Sequence, residues 1–187
     1  MERGGRPVIS SDSVMKIHQA PWGKSLIVVS SLLVVLSVLN VVGLPLFLVS
    51  IPQGFAVLAQ WSLPVIVLGC VLFVIRSYAI TEDAIFIRRL FWTTRLNRAG
   101  LKSAEVIPKA MSRSLRTCGN GGGFSFTGWY WSKQLGFYRA FVTDLDRTVV
   151  LRFETRTVVV SPSDPEEFVS ELNLENRNAA SGDRRYC

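Results

Sequence analysis

The chain has 187 residues, of which 49% are hydrophobic and 19% are charged, and its formal net charge is +7. Its three cysteines, Cys70, Cys118 and Cys187, have neither the spacing of metal ligands nor that of a disulfide framework. The sequence therefore excludes a disulfide-stapled scaffold, and we expect neither a bound metal nor a cofactor.

The first feature along the chain is a long apolar run. Residues 25–75 contain no Lys, Arg, Asp, Glu or His, and Pro52 and Gly54 divide the run into two stretches. Each stretch is near the ~20 residues that cross a hydrocarbon core, and backbone in lipid must satisfy its own hydrogen bonds. We therefore predict a leader over residues 1–24 and a transmembrane helical hairpin over residues 25–76. A cleaved signal peptide is a poor alternative, since its apolar core would be only ~7 to 15 residues long.

The charges around the hairpin predict its orientation. Cations precede the first stretch and follow the second, while the connecting turn has none. The positive-inside rule then places both termini and the remaining domain in the cytoplasm. Residues 76–160 hold fourteen Lys and Arg against six Asp and Glu, a membrane-proximal excess that is typical of attraction to an anionic lipid surface. Nucleic acid is disfavoured as a partner, because the basic residues do not fall on a recognisable nucleic-acid-binding module.

Within the hairpin, the few polar residues predict helix packing. Pro64 deprives the carbonyl of Gln60 of its helical donor. Asn40 lies at a similar depth on the first helix, so we expect its side-chain amide to bond to that carbonyl. A transport path would need ionisable groups within the membrane, and the hairpin has none. An anchor is the favoured role.

Beyond the hairpin, the alternation that is typical of β-strands begins at once. Tyr78 and Ile80 alternate before a turn, and Ile85 and Ile87 alternate after it, which predicts a β-hairpin. Residues 137–143 and 148–154 form a second pair of strands around a turn, and residues 156–160 add a β-branched run. Short, closely spaced strands indicate a bent antiparallel sandwich or barrel.

One helix closes the predicted domain. Asp164 is the expected N-cap and Pro165 takes the first helical position. Phe168 and Leu172 then give an apolar stripe that can cover an open end of the β structure. We place the domain at residues 77–173 and a disordered tail at residues 174–187.

Several short motifs follow one another along this domain. They are a glycine-rich stretch at 116–123, Thr-Gly at 127–128, Leu-Gly at 135–136, Thr-Asp at 143–144 and the helix start at 161–168. In order and spacing they resemble the bacterial pleckstrin-homology-like (PH-like) domain family, whose members often follow two transmembrane helices. The resemblance implies two near-orthogonal antiparallel sheets closed by one C-terminal helix, anchored in a bacterial inner (cytoplasmic) membrane. It carries over no catalytic residues.

The glycine-rich loop is the first candidate site. Successive glycine amides can form an anion-binding nest, and arginines just before it can pair with a phosphate. The alternative is structural, with the glycines supplying positive φ for a turn or bulge. The candidate ligand-binding residues are Arg113, Arg116, Gly119, Asn120, Gly121 and Gly122.

Exposed aromatic side chains are the second candidate. The run Trp129-Tyr130-Trp131 cannot hide all its rings on one side of a strand, and Trp92 lies at a hairpin tip. We expect Trp92, Trp129 and Trp131 to form an interaction surface. Its partner would be another protein, a further copy of the chain or lipid headgroups.

Catalysis has little support in the sequence. His18 is the only histidine and lies in the leader, where we expect a solvated side chain. Without a histidine in the domain, an acid–base mechanism has no obvious members, and surface ion pairs explain Asp144, Asp146 and Glu154 better. The sequence therefore predicts a membrane-anchored PH-like module for protein interaction or assembly, and not an enzyme. The alternative is a binder of anionic lipid or a small anion, through its basic face and glycine-rich loop.

Overall fold

The computed structural model describes residues 15–47 and 53–182. Two apolar helices are followed by a domain of two sheets with a C-terminal helix, which confirms the predicted fold class. The elements in chain order are β1 (Lys16–Gln19), α1 (Lys24–Phe47), α2 (Gln53–Val71), β2 (Ile75–Ile80), β3 (Ala84–Arg89), β4 (Thr93–Asn97), β5 (Leu101–Val106), β6 (Leu115–Gly121), β7 (Phe126–Ser132), β8 (Gly136–Val142), β9 (Val149–Phe153), β10 (Thr157–Val160) and α3 (Pro165–Gly182). Most of the predicted turn between the helices, including Pro52, lies outside the described residues.

Both α1 and α2 are long and apolar enough to cross a membrane. Only 11% of the most apolar window of α1, and none of that of α2, is buried inside the protein, so neither is a core helix of the β domain. The 19 residues of α2 span about 28 Å at 1.5 Å per residue, close to the thickness of a hydrocarbon core. These properties indicate membrane association.

The contact between the two helices differs from the predicted one. Gln60 Nε2 donates a hydrogen bond to the carbonyl of Val41 at 3.0 Å. Asn40 Oδ1 is buried without a partner among the described residues. No hydrogen bond joins the Asn40 amide to the carbonyl of Gln60 among the described residues, so that prediction is wrong. The polar contact between the helices is made by the Gln60 side chain and the backbone of α1 instead.

The first sheet has four strands in the order β1-β2-β3-β4. The predicted hairpin forms its centre, with Tyr78 opposite Ile87 and Ile80 opposite Ile85. Its edge strand β1 comes from the predicted leader, where residues 16–19 pair with residues 77–80. The description of residues 16–19 as part of a separate leader is therefore wrong. Their four-residue pattern is too short to predict a strand whose partner follows the helical hairpin.

A buried ionic cluster fixes β1 to α3. The Glu171 carboxylate accepts hydrogen bonds from Lys16 Nζ at 2.8 Å and from His18 Nε2 at 2.9 Å. The His18 ring packs edge-on against Phe168, with centroids 5.2 Å apart. His18 is thus buried, and the prediction of a solvated residue is wrong. Burial raises the pKa of Glu171, but the hydrogen bonds from Lys16 and His18 outweigh it and hold that pKa below its ordinary value.

The second sheet has six strands in the order β5-β9-β10-β8-β7-β6. β8 and β9 do not pair with each other, since β10 lies between them, antiparallel to β9 and parallel to β8. The predicted strand pair around residues 144–147 and the expected all-antiparallel sheets are therefore wrong. The Ser161 hydroxyl oxygen gives the physical reason. It accepts hydrogen bonds from the amides of Thr143 and Asp144 and so holds the end of β8 beside the end of β10.

Two apolar clusters stabilise the domain. The larger one joins the two sheets and α3, whose Phe168 and Leu172 are fully buried. Within it the Tyr78 hydroxyl donates to the carbonyl of Phe141 at 2.7 Å, and burial raises the pKa of Tyr78 to about 12. The smaller cluster includes Tyr130 and Tyr138 and lies on the opposite face of the six-stranded sheet.

The start of α3 is as predicted. Pro165 is its first residue, and the amide of Glu167 donates to the Asp164 carboxylate at 3.0 Å. The helix continues to Gly182, so the predicted tail does not begin at residue 174. Once a helix is nucleated, each added residue gains a backbone hydrogen bond, which carries it through moderately favourable sequence. Residues 183–187 lie outside the described part of the chain.

Candidate functional site at the junction of helices and domain

The domain contacts both helices at their ends nearest the sheets. In the turn between β6 and β7, the amide of Phe124 donates to Ser30 Oγ of α1 at 3.0 Å. The next residue, Ser125, donates from its hydroxyl to the carbonyl of Phe73, just beyond α2, at 3.0 Å. The glycine-rich segment therefore packs against the helical hairpin.

The glycines of this segment are required by the backbone. Gly119 and Gly128 lie opposite each other in β6 and β7, next to a bulge at Thr117. Both have positive φ, of 116° and 146°. A Cβ on Gly119 would clash with the carbonyl oxygen of Thr127, and one on Gly128 with that of Cys118. These contacts support the structural alternative for the glycines.

Two of the amides that an anion-binding nest would use are already hydrogen-bonded within the turn. The amide of Gly122 donates to the carbonyl of Ser125 at 3.2 Å, and that of Gly123 to Asn120 Oδ1 at 3.1 Å. The Asn120 side-chain amide in turn bonds to the carbonyl of Gly123. The predicted residues Asn120 and Gly122 thus shape the turn, and anion binding by this loop stays a prediction that these hydrogen bonds do not favour.

Only one of the two predicted arginines lies at the loop. The guanidinium of Arg116 lies directly over Gly121. Arg113 is exposed in a separate turn with a φ of 62°, where it lines a depression with Lys133 and Trp131. Sequence proximity placed them in one site, but Arg113 precedes β6 and lies beside the far end of β7.

The predicted aromatic residues fall into two places. Trp129 and Trp131 lie on one face of β7, while Tyr130 between them is buried on the other face. Because Leu115, Trp131 and Phe137 stand directly opposite one another in β6, β7 and β8, they share that face with Trp129. We call these four residues, Leu115, Trp129, Trp131 and Phe137, the apolar patch. Trp92 is separate and packs edge-on against Phe73, with ring centroids 5.3 Å apart.

A groove of about 580 Å³ lies between the end of α2 and the six-stranded sheet. We call it the junction groove. One wall is the apolar side of α2, the other is formed by β6, β7 and β8, and Arg89 enters from β3. No Asp or Glu of the described residues lines it. Its lining includes Ile66, Cys70, Leu72, Phe73, Arg89 and Arg139, together with Arg116, Gly119, Asn120 and Trp129 of the predicted sites.

Arg89 is the residue that the sequence reasoning missed. Its side chain is only 8% exposed, and its Nε and Nη2 atoms have no hydrogen-bond partner among the described residues. Burial, and then the neighbouring charge of Arg139, lower the pKa of Arg89 against a smaller opposing effect of Tyr78. A signal was present in the sequence, since Arg89 continues the inward-facing alternation of Ile85 and Ile87 in β3.

A comparison with known families agrees with this architecture. No curated protein and no solved structure matches the chain. The family model described as a bacterial PH domain matches residues 76–176, which is 101 of the 187 residues. The matched segment begins at Arg76, the second residue of β2, and includes every later strand and the first turns of α3. The chain therefore belongs to the bacterial PH domain family.

Proposed function

We propose that the protein is a membrane-anchored docking module, without catalytic chemistry of its own, that holds a protein partner on its apolar patch. The observation that carries the proposal is the exposure of that patch. Leu115 and Phe137 are 65% and 69% exposed, and Trp129 is 48% exposed. Apolar surface spread over three adjacent strands is typical of protein-binding sites.

The surroundings of the patch favour an acidic partner. Beside Trp131 lies a depression of about 670 Å³, whose lining includes Arg113 and Lys133 and, among the described residues, no carboxylate. Charges at the rim of an interface steer and select partners, while buried aromatic anchors supply most of the affinity. The complementary surface is an apolar or aromatic anchor flanked by Asp or Glu.

The junction fixes where docking takes place. Hydrogen bonds from the turn between β6 and β7 to both helices, and one from the amide of Gly23 to the carbonyl of Thr143 at 3.0 Å, leave little freedom between anchor and domain. The patch therefore keeps one orientation relative to the hairpin. In this proposal a partner is recruited to the membrane surface, on the cytoplasmic side.

The cytoplasmic placement has its own test. A phosphatase reporter that is active only outside the cytoplasm should be active when fused at Gln53, between the helices. Fusions at Asp12 and Ser181 should be inactive, because cations flank both sides of the hairpin but not its turn. Activity at Ser181 would reverse the orientation.

The docking proposal is tested by purifying the tagged full chain from membranes and identifying stoichiometric partners by mass spectrometry. Phe137→Asp and Leu115→Asp should each lose such a partner, because a carboxylate in the patch would be desolvated on docking. Lys102→Asp is the matched control on β5, the opposite edge strand of the same sheet, and should retain it. Equal recovery of the partner by all three variants would refute the patch as the docking site. Recovery of further copies of the chain alone would instead identify the module as a self-assembling one.

A further inference from the structure

Arg89 is a buried cation without a counter-ion among the described residues. Its guanidinium carbon lies 5.1 Å from the ring centroid of Phe141, 5.4 Å from that of Trp92 and 5.8 Å from that of Phe73. Cation–π contacts offset part of the cost of burying the charge. They do not use the N–H donors at the edge of the guanidinium plane, and two of those nitrogens are unpartnered. An unpaired buried charge is unfavourable, so this arrangement requires an acceptor.

A second arginine faces the same place. The guanidinium carbon of Arg139 lies 4.9 Å from the centroid of Phe141 and 5.9 Å from that of Trp129. Arg89 and Arg139 thus contact one ring, and their like charges repel each other. An anion between them would convert that repulsion into two attractive pairs. Guanidinium groups bind phosphate oxygens with paired, parallel N–H donors, which makes phosphate the best-fitting acceptor.

The position of Arg89 and Arg139 relative to α2 favours a membrane lipid over a soluble phosphate as the bound anion. Phe73, which contacts Arg89, comes two residues after the end of α2. If α2 spans the hydrocarbon core as proposed, the two arginines lie at the level of the lipid headgroups. The wall of the junction groove below them is apolar and includes Ile66 and Cys70 of α2 and Leu72, which follows the last residue of that helix. A soluble phosphate would gain nothing from contact with such an apolar wall, whereas a phospholipid would pack its acyl chains against it.

We propose that the junction groove binds one anionic membrane phospholipid, with its phosphate between Arg89 and Arg139 and its acyl chains along α2. The lipid would then add a contact between the hairpin and the domain, beside the hydrogen bonds that the turn between β6 and β7 makes to Ser30 and Phe73. Gly119 and Asn120 of the glycine-rich stretch and Trp129 of the apolar patch also line the groove. The proposed phosphate position lies at Arg89 and Arg139 and does not use the amides of the loop.

The test uses the full chain in nanodiscs that contain phosphatidylcholine and phosphatidylglycerol in equal amounts. Lipids that remain bound after gentle release are counted by native mass spectrometry. Arg89→Met and Arg139→Met keep an apolar stem and remove the charge. Arg156→Met is the matched control, since Arg156 also stacks on an aromatic ring, at 4.9 Å from the centroid of Phe153, but is exposed outside the groove.

The lipids bound to the parent should be enriched in phosphatidylglycerol. This enrichment should fall roughly tenfold in each groove variant, which corresponds to the loss of one charge-assisted hydrogen bond. The control should keep it. Equal enrichment in all four proteins would overturn the proposal, as would an equal loss in the control, which would indicate general surface charge. Displacement of phosphatidylglycerol by millimolar inorganic phosphate would overturn the lipid assignment in favour of a soluble phosphate.

Thermal unfolding separates ligand binding from a purely structural role. Replacing phosphatidylcholine with the mixed lipids should raise the unfolding midpoint of the parent and of Arg156→Met, but not that of Arg139→Met. A structural role would lower the midpoint of Arg139→Met equally in both lipids, which would overturn the site. Because Arg139 is only half-buried, this variant decides the question even if Arg89→Met does not fold.

Discussion

A graded set of glycine substitutions tests the backbone contact between β6 and β7. Gly128 combines a φ of 146° with a Cβ position inside 3.0 Å of the facing strand. Gly136 has a φ of 66° but open space around its Cβ, and Gly43 in α1 has open space and no positive φ. Alanine therefore adds backbone strain and a steric clash at Gly128, backbone strain alone at Gly136, and neither at Gly43.

The expected losses of stability follow from these differences. Gly136→Ala should cost roughly 1–2 kcal/mol, the penalty for a left-handed residue with a side chain. Gly128→Ala should cost about 3–4 kcal/mol, because the strands must also separate and lose ladder hydrogen bonds worth ~1 kcal/mol each. For a domain of this size 1 kcal/mol lowers the unfolding midpoint by roughly 4 °C, so the losses are about 12–16 °C for Gly128→Ala and 4–8 °C for Gly136→Ala.

The assay is thermal unfolding of the full chain in detergent, followed by tryptophan fluorescence. Gly43→Ala should leave the midpoint within about 2 °C of the parent, since a substitution away from special contacts changes stability by at most ~0.5 kcal/mol. A loss for Gly128→Ala no larger than that for Gly136→Ala would refute the close approach of β6 to β7.

Three further substitutions have defined outcomes. Glu171→Gln should lower the free energy of unfolding by about 2–4 kcal/mol at pH 7. The pKa of Glu171 lies below its ordinary value of 4.5, so the parent should stay more stable than the variant above pH 4.5 and lose that advantage as the pH falls further. Unfolding midpoints measured against pH check this. Ser30→Ala should speed hydrogen exchange of the Phe124 amide by about tenfold, whereas Ser31→Ala, at the exposed neighbouring position, should not. Tyr78→Phe should lower the free energy of unfolding by about 1–3 kcal/mol, because it removes the hydrogen bond to the carbonyl of Phe141. The pKa of Tyr78 is about 12 in the folded protein against an ordinary 10.0. The difference in stability between parent and variant, measured by denaturant unfolding, should therefore stay constant up to pH 10 and shrink above it.

Local signals account for what the sequence predicted correctly. The two apolar helices follow from length and hydropathy, the central hairpin from strict alternation at Tyr78 and Ile80, and the start of α3 from Asp164 and Pro165. Each of these signals lies within a few residues of the element that it specifies. The cap of α3 therefore needed no knowledge of the rest of the fold.

Long-range pairing accounts for the failures. Nothing near His18 indicates Glu171, which lies 153 positions away, and nothing in β10 shows that it inserts between β8 and β9. The glycine-rich segment was recognisable as a turn, but its contacts with Ser30 and Phe73 depend on where two helices end. The sequence singled out Arg116, Gly119 and Asn120, which line the junction groove, and the inward parity of Arg89 was visible as well. Nothing in the sequence showed that these residues meet Arg139 and the end of α2 in one groove.

β1 and β2 are neighbours in one sheet, yet the whole helical hairpin lies between them in the chain. During synthesis β1 leaves the ribosome first and has no partner strand until the helical hairpin and β2 have been made. Pairing of Gln19 with Ser77 then closes a loop of backbone that contains the whole helical hairpin. A fragment that begins at residue 77 would expose the bare edge of β2 and leave Glu171 without both of its hydrogen-bond donors. Completion of the first sheet thus requires that the two ends of the helical hairpin come together, so formation of the hairpin and folding of the domain are coupled.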